Sequence, residues 1–140
     1  MDTLGWQLPV LRQRREVWPY MEIEQLNDVA LVTVKERMNI LNAPALINEM
    51  NRLLDHGLKH FIVDLSSVRV LDADGDYPLL HLLKRAHEHD GRVILICPRN
   101  NPVRLLYEML NLDTLFEIVE TRPDAFREME MEVETETESP

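Results

Sequence analysis

The sequence predicts a single α/β domain whose mixed, mostly parallel sheet has about five strands and about four helices. Three observations predict it. A pair of short alternating segments opens the regular part of the chain; apolar runs of strand length then alternate with segments of helical period; and 140 residues at 45% hydrophobic content suffice for one core but not for two ordinary domains. Boundaries fall at an N-terminal extension over 1–20, a domain over 21–127 and an acidic, disordered tail over 128–140.

The elements follow in order. Residues 1–20 hold Pro9, Pro19, Trp6 and Trp18 without a sustained period, and the tryptophans suit covering apolar surface on this domain or on a second copy. Met21 to Leu26 forms a strand, Asn27-Asp28 a turn and Val29 to Val34 a second strand. Ala30, Val32 and Val34 share one face of that strand, and Val29, Leu31 and Thr33 share the other. Ala43-Pro44 starts a helix carried by Leu46, Met50, Leu53 and Leu54 and stopped by Gly57. Phe61 to Leu65 is nearly all apolar, as a strand covered on both faces requires. A second helix carries Leu79, Leu82, Leu83 and Ala86 and ends at Asp90-Gly91. Val93 to Cys97 is a buried strand, and a third helix places Val103, Leu106, Met109 and Leu110 on one stripe. Leu115 to Val119 is the last strand, and Pro123 and Ala125-Phe126 open the last helix. Strand-helix-strand repeats imply parallel strands with right-handed crossovers, and the opening hairpin makes the sheet mixed.

Charge narrows the function. The formal net charge is -10, but six glutamates between Glu128 and Glu138 leave the rest of the chain at about -4. A mildly acidic body lacks the Lys/Arg face that phosphate backbones need, so nucleic acid is not an expected partner. Cys97 alone forms no internal disulfide and sits in an apolar run, where a thiol packs as a small hydrophobe. No stretch has the composition of a signal peptide or membrane span, so the expected location is the cytoplasm, without direct membrane insertion.

Between the third strand and the second helix runs Val70-Leu71-Asp72-Ala73-Asp74-Gly75. This loop, with the opening hairpin, the Asn42-Ala43-Pro44 helix entry, the Asp64-Leu65-Ser66 strand end and the Gly91 break, resembles the STAS superfamily. Anti-sigma factor antagonists of bacterial partner-switching systems typify it. In that family the loop commonly reads Asp-Ser-Ser-Gly, the second serine being the kinase target. Asp72 matches the leading aspartate, Ala73 the first serine, Asp74 the phosphorylatable serine and Gly75 the turning glycine. The resemblance implies a non-enzymatic regulatory binding protein that docks an anti-sigma factor or a serine kinase-like protein. Its implied contact surface comprises Asn39, Asn42, Asp72, Asp74, Gly75, Asp76, Tyr77 and His81. A homodimer is also compatible, and the alternative role is a STAS subunit of a transporter or signalling scaffold.

Asp74 departs from the pattern chemically. It has no hydroxyl, so a serine kinase has nothing to phosphorylate, and its charge of about -1 falls short of the roughly -1.5 to -2 of phosphoserine. Pro78 adds a geometric departure. With Asp74 as cap, Pro78 would occupy the fourth helical position without the amide needed there; with Asp76 as cap it takes the second, where a missing donor costs little.

Other chemistry finds no support in the sequence, and no cofactor or metal is expected. The aspartate loop has Tyr77 and Leu83 where a calcium loop needs Gly and Glu. His87-Glu88-His89-Asp90 does not gather its side chains on one helix face. Asp64 stands near a strand end as a receiver phospho-acceptor does, but the acidic pair and late lysine of a receiver are missing. Neither a nucleophile elbow, a Walker loop nor a dinucleotide-binding turn occurs.

Overall fold

A computed structural model describes residues 14–17, 21–38, 43–71 and 77–137. Its six strands are β1 (Arg14–Val17), β2 (Met21–Leu26), β3 (Val29–Met38), β4 (His60–Leu71), β5 (Arg92–Ile96) and β6 (Glu117–Val119). The helices are α1 (Ala43–Asp55), α2 (Tyr77–Glu88), α3 (Pro102–Met109) and α4 (Arg122–Thr137), with a single 3-10 turn at Leu112–Thr114. The sheet order is β1-β2-β3-β4-β5-β6, antiparallel from β1 to β3 and parallel from β3 to β6.

The expected mixed, mostly parallel architecture and its four helices are therefore present, with one strand more than the sequence suggests. That strand lies in the segment read as an extension: four residues with two adjacent arginines carry no alternating pattern, yet they pair with β2 from Arg14↔Gln25 to Val17↔Glu22. Asn27 takes a left-handed conformation (φ 59°) in the β2–β3 turn, as an asparagine does readily.

Period-two alternation places two cores on the two faces of the sheet. Ala30, Val32 and Val34 of β3 join Phe61, Val63 and Leu65 of β4 beneath Leu46, Met50 and Leu53 of α1, Leu79, Leu82 and Ala86 of α2, and Val103 and Tyr107 of α3. Val29, Leu31, Ile62, Ile94 and Ile96 face the other way, toward Ala125 and Met129 of α4. All three crossover helices lie on one face, as crossovers of a single hand in one direction require.

Three expectations change in detail. On α3 the buried positions are Val103 and Tyr107, while Met109 and Leu110 are exposed, because the helix ends at Met109 and the chain turns away through left-handed Asn111. The last strand begins at Glu117 rather than Leu115, since the 3-10 turn takes up the preceding residues. The acidic run expected to be disordered is helical through Thr137, in keeping with the helix propensity of alternating Glu and Met.

Thr121 caps that last helix. Its hydroxyl exchanges hydrogen bonds with Asp124, accepting from the Asp124 amide at 3.2 Å and donating to Asp124 Oδ2 at 2.9 Å.

Candidate functional site: two loops leaving one ladder

The parallel β3–β4 ladder runs past the other strands. β4 pairs with β5 only as far as Asp64↔Ile96, but with β3 it continues to Arg37↔Val70 and Met38↔Leu71. Segments 39–42 and 72–76 thus leave adjacent strand ends, about 4.8 Å apart. They re-enter the fold at Ala43 and Tyr77, the first residues of two helices packed on one another. Of the residues expected at the contact surface, Asn39, Asn42, Asp72, Asp74, Gly75 and Asp76 lie outside the described residues, as does the Tyr77 side chain. Their four attachment points, Met38, Ala43, Leu71 and Tyr77, are described, and the two on the strands are paired.

The start of α2 at Tyr77 makes Pro78 its second residue, so the proline takes a first-turn position where an amide donor is not needed. One turn on, His81 is half-buried against α1 rather than turned to solvent. Its Nε2 lies 3.1 Å from Asn51 Oδ1, and Arg85 Nη1 donates to the same oxygen at 2.8 Å. Since a guanidinium only donates, the shared Asn51 atom is the acceptor, and His81 Nε2 carries a proton toward it. Arg85 also reaches Asp55 at 3.8 Å. Asn51 thereby ties the helix that follows 72–76 to the helix that follows 39–42. No pattern in the sequence marks Asn51; its part depends on how α1 and α2 cross.

A second polar cluster shapes β4 before the loop. Thr33 pairs with Asp64 but Lys35 with Ser67, and Glu36 pairs with Val68 but Arg37 with Val70, so β4 carries two extra residues relative to β3. Such bulges bend a strand and increase its twist. At the first irregularity the buried Asp64 accepts from the Ser66 amide at 2.9 Å and from the Ser66 hydroxyl. Its other oxygen accepts from Arg122 Nε at 2.7 Å, and Arg122 Nη2 donates to Thr33 Oγ1 at 2.8 Å. Asp64 is held by the first residue of α4, and its role in the described structure is to join that helix to the bulge.

On the β5 side the bulge carbonyls have lost their ladder. Buried Asn101 replaces it: Nδ2 lies 3.3 Å from both the Leu65 and Ser66 carbonyl oxygens, while Oδ1 accepts from the Val103 amide at 2.7 Å and caps α3. At the second irregularity Glu36 adopts φ 58°, a left-handed conformation uncommon for glutamate. Cys97, at the end of β5, is buried, and burial pushes its thiol up to about 11, the coulombic effect of Arg104 opposing and those of Asp64 and Glu108 adding. Among the described residues, no group of three or more His, Cys, Asp or Glu is placed to hold a metal ion, and no helix is long and apolar enough to cross a membrane.

The architecture has known counterparts. The STAS domain model matches residues 20–125. This chain belongs to the STAS-domain family. Among solved structures, it is similar to an anti-sigma factor antagonist from Mycobacterium paratuberculosis, at 21% identity over 79% of this chain and 95% of that one, with a TM-score of 0.66. It is also similar to the unphosphorylated anti-sigma factor antagonist SpoIIAA, at 14% identity over 79% and 96% of the two chains, with a TM-score of 0.69. The phosphorylated form of SpoIIAA, a Bacillus cell fate determinant, matches at 13% identity over 83% and 97%, with a TM-score of 0.59. At these identities the likeness is one of fold.

Proposed function

We propose that the protein is a non-enzymatic regulatory module, like an anti-sigma factor antagonist, that acts in the cytoplasm of a bacterium by docking an anti-sigma factor or a serine kinase-like protein. The docking surface comprises segments 39–42 and 72–76 with the first turns of α1 and α2. One observation supports the reading: Met38 and Leu71, the residues from which the two segments depart, are paired on neighbouring parallel strands.

Within that surface Asp74 is a fixed charge. A side chain with no hydroxyl accepts no phosphoryl group from a serine kinase, so the module does not cycle between phosphorylated and free states at this position. Its occupancy is set by partner concentration and by whatever modifies the partner.

Calorimetric titration of individually purified anti-sigma factors and serine kinase-like proteins of the source organism against wild type, Asp74→Ser and Asp74→Ala tests this. At least one partner is expected to change affinity by tenfold or more. Incubation with that kinase and ATP is expected to leave residues 72–76 of the wild type unmodified and to phosphorylate Asp74→Ser. Unchanged affinity for every partner in both variants would remove the loop from recognition.

A further inference from the structure

The far end of the β3–β4 ladder is a two-stranded ribbon with an unmatched positive charge. Among the described residues, β2 accompanies β3 only to Val34, and β5 accompanies β4 only to Asp64. Alternation sets the direction of the side chains beyond. Val34 and Val68 are buried in the core beneath α1, α2 and α3, so Lys35, which pairs with Ser67, and Arg69 project from the opposite face, the one that α4 covers lower down. α4 does not extend over them. Its first residue, Arg122, is bound at Asp64 and Thr33, and the helix runs from there back toward Arg92, whose guanidinium lies 3.3 Å from Glu128. Ser67 and Arg69 are exposed, and Lys35 is partly so.

The chain does not supply these two cations with anions. Every other arginine whose side chain is described meets a carboxylate of the same chain. Among the described residues Arg69 meets none, and neither does Lys35. Glu36 pairs in the ladder with buried Val68, and Glu22 stands opposite Thr33 on β2; neither bridges to Lys35 or Arg69. Asp64, on the same face, is already held by Arg122 at 2.7 Å. Two neighbouring cations are thus left over in a chain of formal charge -10. One strand spacing across and two residues along, their Cα atoms are about 8 Å apart. Alternate side chains of an extended chain are about 6.6 Å apart, so carboxylates at i and i+2 of one segment can meet both. Duplex DNA and anionic bilayers call for broader basic surfaces. Here Asp72, Asp74 and Asp76 follow directly in the sequence, and two cations beside three aspartates suit a protein segment rather than a polyanion.

We propose that Lys35 and Arg69 form a second contact of the docking surface, where the α4-side face of the ribbon receives an extended acidic segment of the docked partner through two carboxylates at alternate positions. The inference rests on the docking role proposed above and gives it a polarity. The partner brings carboxylates to the ribbon, while the loop aspartates repel them and favour donors or cations. Opposite signs side by side fix the orientation of the partner and disfavour a segment laid in reverse.

NMR titration of the full chain with a short peptide of alternating glutamate and serine tests the contact directly. The amide signals of Lys35, Ser67 and Arg69 are expected to shift, and Lys35→Glu and Arg69→Glu each to weaken binding by about fivefold or more. Lys59→Glu makes the same charge change on an exposed lysine at the opposite end of β4 and is expected to weaken it by less than about twofold. Superimposable thermal melts establish that the variants fold, and Arg69→Gln replaces Arg69→Glu if the latter does not. A peptide that shifts no ribbon signal, or that Lys59→Glu weakens as much as Arg69→Glu, would overturn the proposal. So would inorganic phosphate, duplex DNA or phosphatidylserine vesicles that shift the same amides at lower concentration than the peptide. In the calorimetric titrations, the partner that responds to Asp74→Ser is expected to lose about tenfold in affinity for Arg69→Glu, and less as salt rises. A partner sensitive to Asp74→Ser but not to Arg69→Glu would remove the ribbon and keep the loops; peptide binding at the ribbon with every partner indifferent to Asp74 would do the reverse.

Discussion

Asn101 is where the bent strand and the third helix share one side chain, and Asn101→Ala isolates what that sharing is worth. The asparagine is buried; its oxygen caps α3 through the Val103 amide at 2.7 Å, and its nitrogen serves the Leu65 and Ser66 carbonyls at 3.3 Å. Loss of the cap costs about 1 kcal/mol. Two carbonyls left without a donor add about 1 kcal/mol each, with the Ser66 contribution smaller because that residue is partly exposed. The sum is about 2.5 kcal/mol. With a urea dependence of about 2 kcal/mol/M for a domain of this size, the unfolding midpoint is expected to fall by roughly 1.2 M. Asn101→Asp separates the two contributions. It keeps the acceptor for the Val103 amide but turns a carboxylate toward two carbonyl oxygens, so its loss is expected to equal or exceed that of alanine. If the aspartate variant instead unfolds within about 0.3 M urea of wild type, the cap alone matters and the account of the bulge fails.

Other perturbations follow from equally local contacts. A Cβ added at Gly91 would stand 1.9 Å from the Lys59 carbonyl oxygen, so Gly91→Ala must push apart the starts of β4 and β5; a loss of about 3 kcal/mol, near 12 °C in Tm, is expected in a thermal melt. Arg122→Met leaves buried Asp64 with only its two Ser66 donors, and because the guanidinium is 41% exposed the expected cost by urea titration is about 1–2 kcal/mol rather than the 3–5 of a fully buried pair. The Cys97 thiol, raised from 9.0 to about 11, holds roughly 100-fold less thiolate than a free thiol at pH 8, so native protein is expected to react with iodoacetamide at least that much more slowly than urea-unfolded protein. As the folded value is the higher one, this group's contribution to stability is complete below pH 9 and is lost as pH rises through about 11. Glu36→Asn suits the left-handed φ of 58° and is expected to stabilise by about 0.5 kcal/mol, whereas Glu36→Val is expected to cost about 2 kcal/mol; two urea titrations decide both signs.

Much of the fold is legible because burial repeats with the period of each element. The two faces of β3 separate as Ala30-Val32-Val34 and Val29-Leu31-Thr33 would have them, and α1 and α2 bury the expected Leu46, Met50, Leu53, Leu79, Leu82 and Ala86. Pro78 also locates the start of α2 correctly, because a missing amide is tolerated at few helical positions. Where the sequence misleads, the deciding contact is distant. Arg14–Val17 becomes a strand only because β2 offers an edge, and Met109 and Leu110 satisfy a helical stripe that the turn at Asn111 cuts off. The polar ties escape entirely: Asn51 meets residues 30 and 34 positions away, Asn101 residues 35 and 36 positions away, and Arg122 residues 58 and 89 positions away. Nothing local distinguishes Asn51 and Arg122 from ordinary surface residues, and although Asn101 before Pro102 reads as a helix cap, its bonds to the Leu65 and Ser66 carbonyls do not show in the sequence.

The distant ties have a common address. Asp64, Ser66, Thr33 and Arg122 clamp one side of the ladder where β4 first outgrows β3, Asn101 satisfies the other, and Asn51 joins the two helices on which the loops end. A parallel pair extended beyond its neighbours has no β5 to flatten it, and two extra residues in β4 twist it further. Without the clamps, the ends at Met38 and Leu71 would be freer to separate. These polar side chains therefore brace the ladder where β4 begins to outgrow β3. For the proposed docking module, whose Asp74 offers no hydroxyl to modify, a braced ladder beneath the loops suits a single recognition state with switching left to the partner.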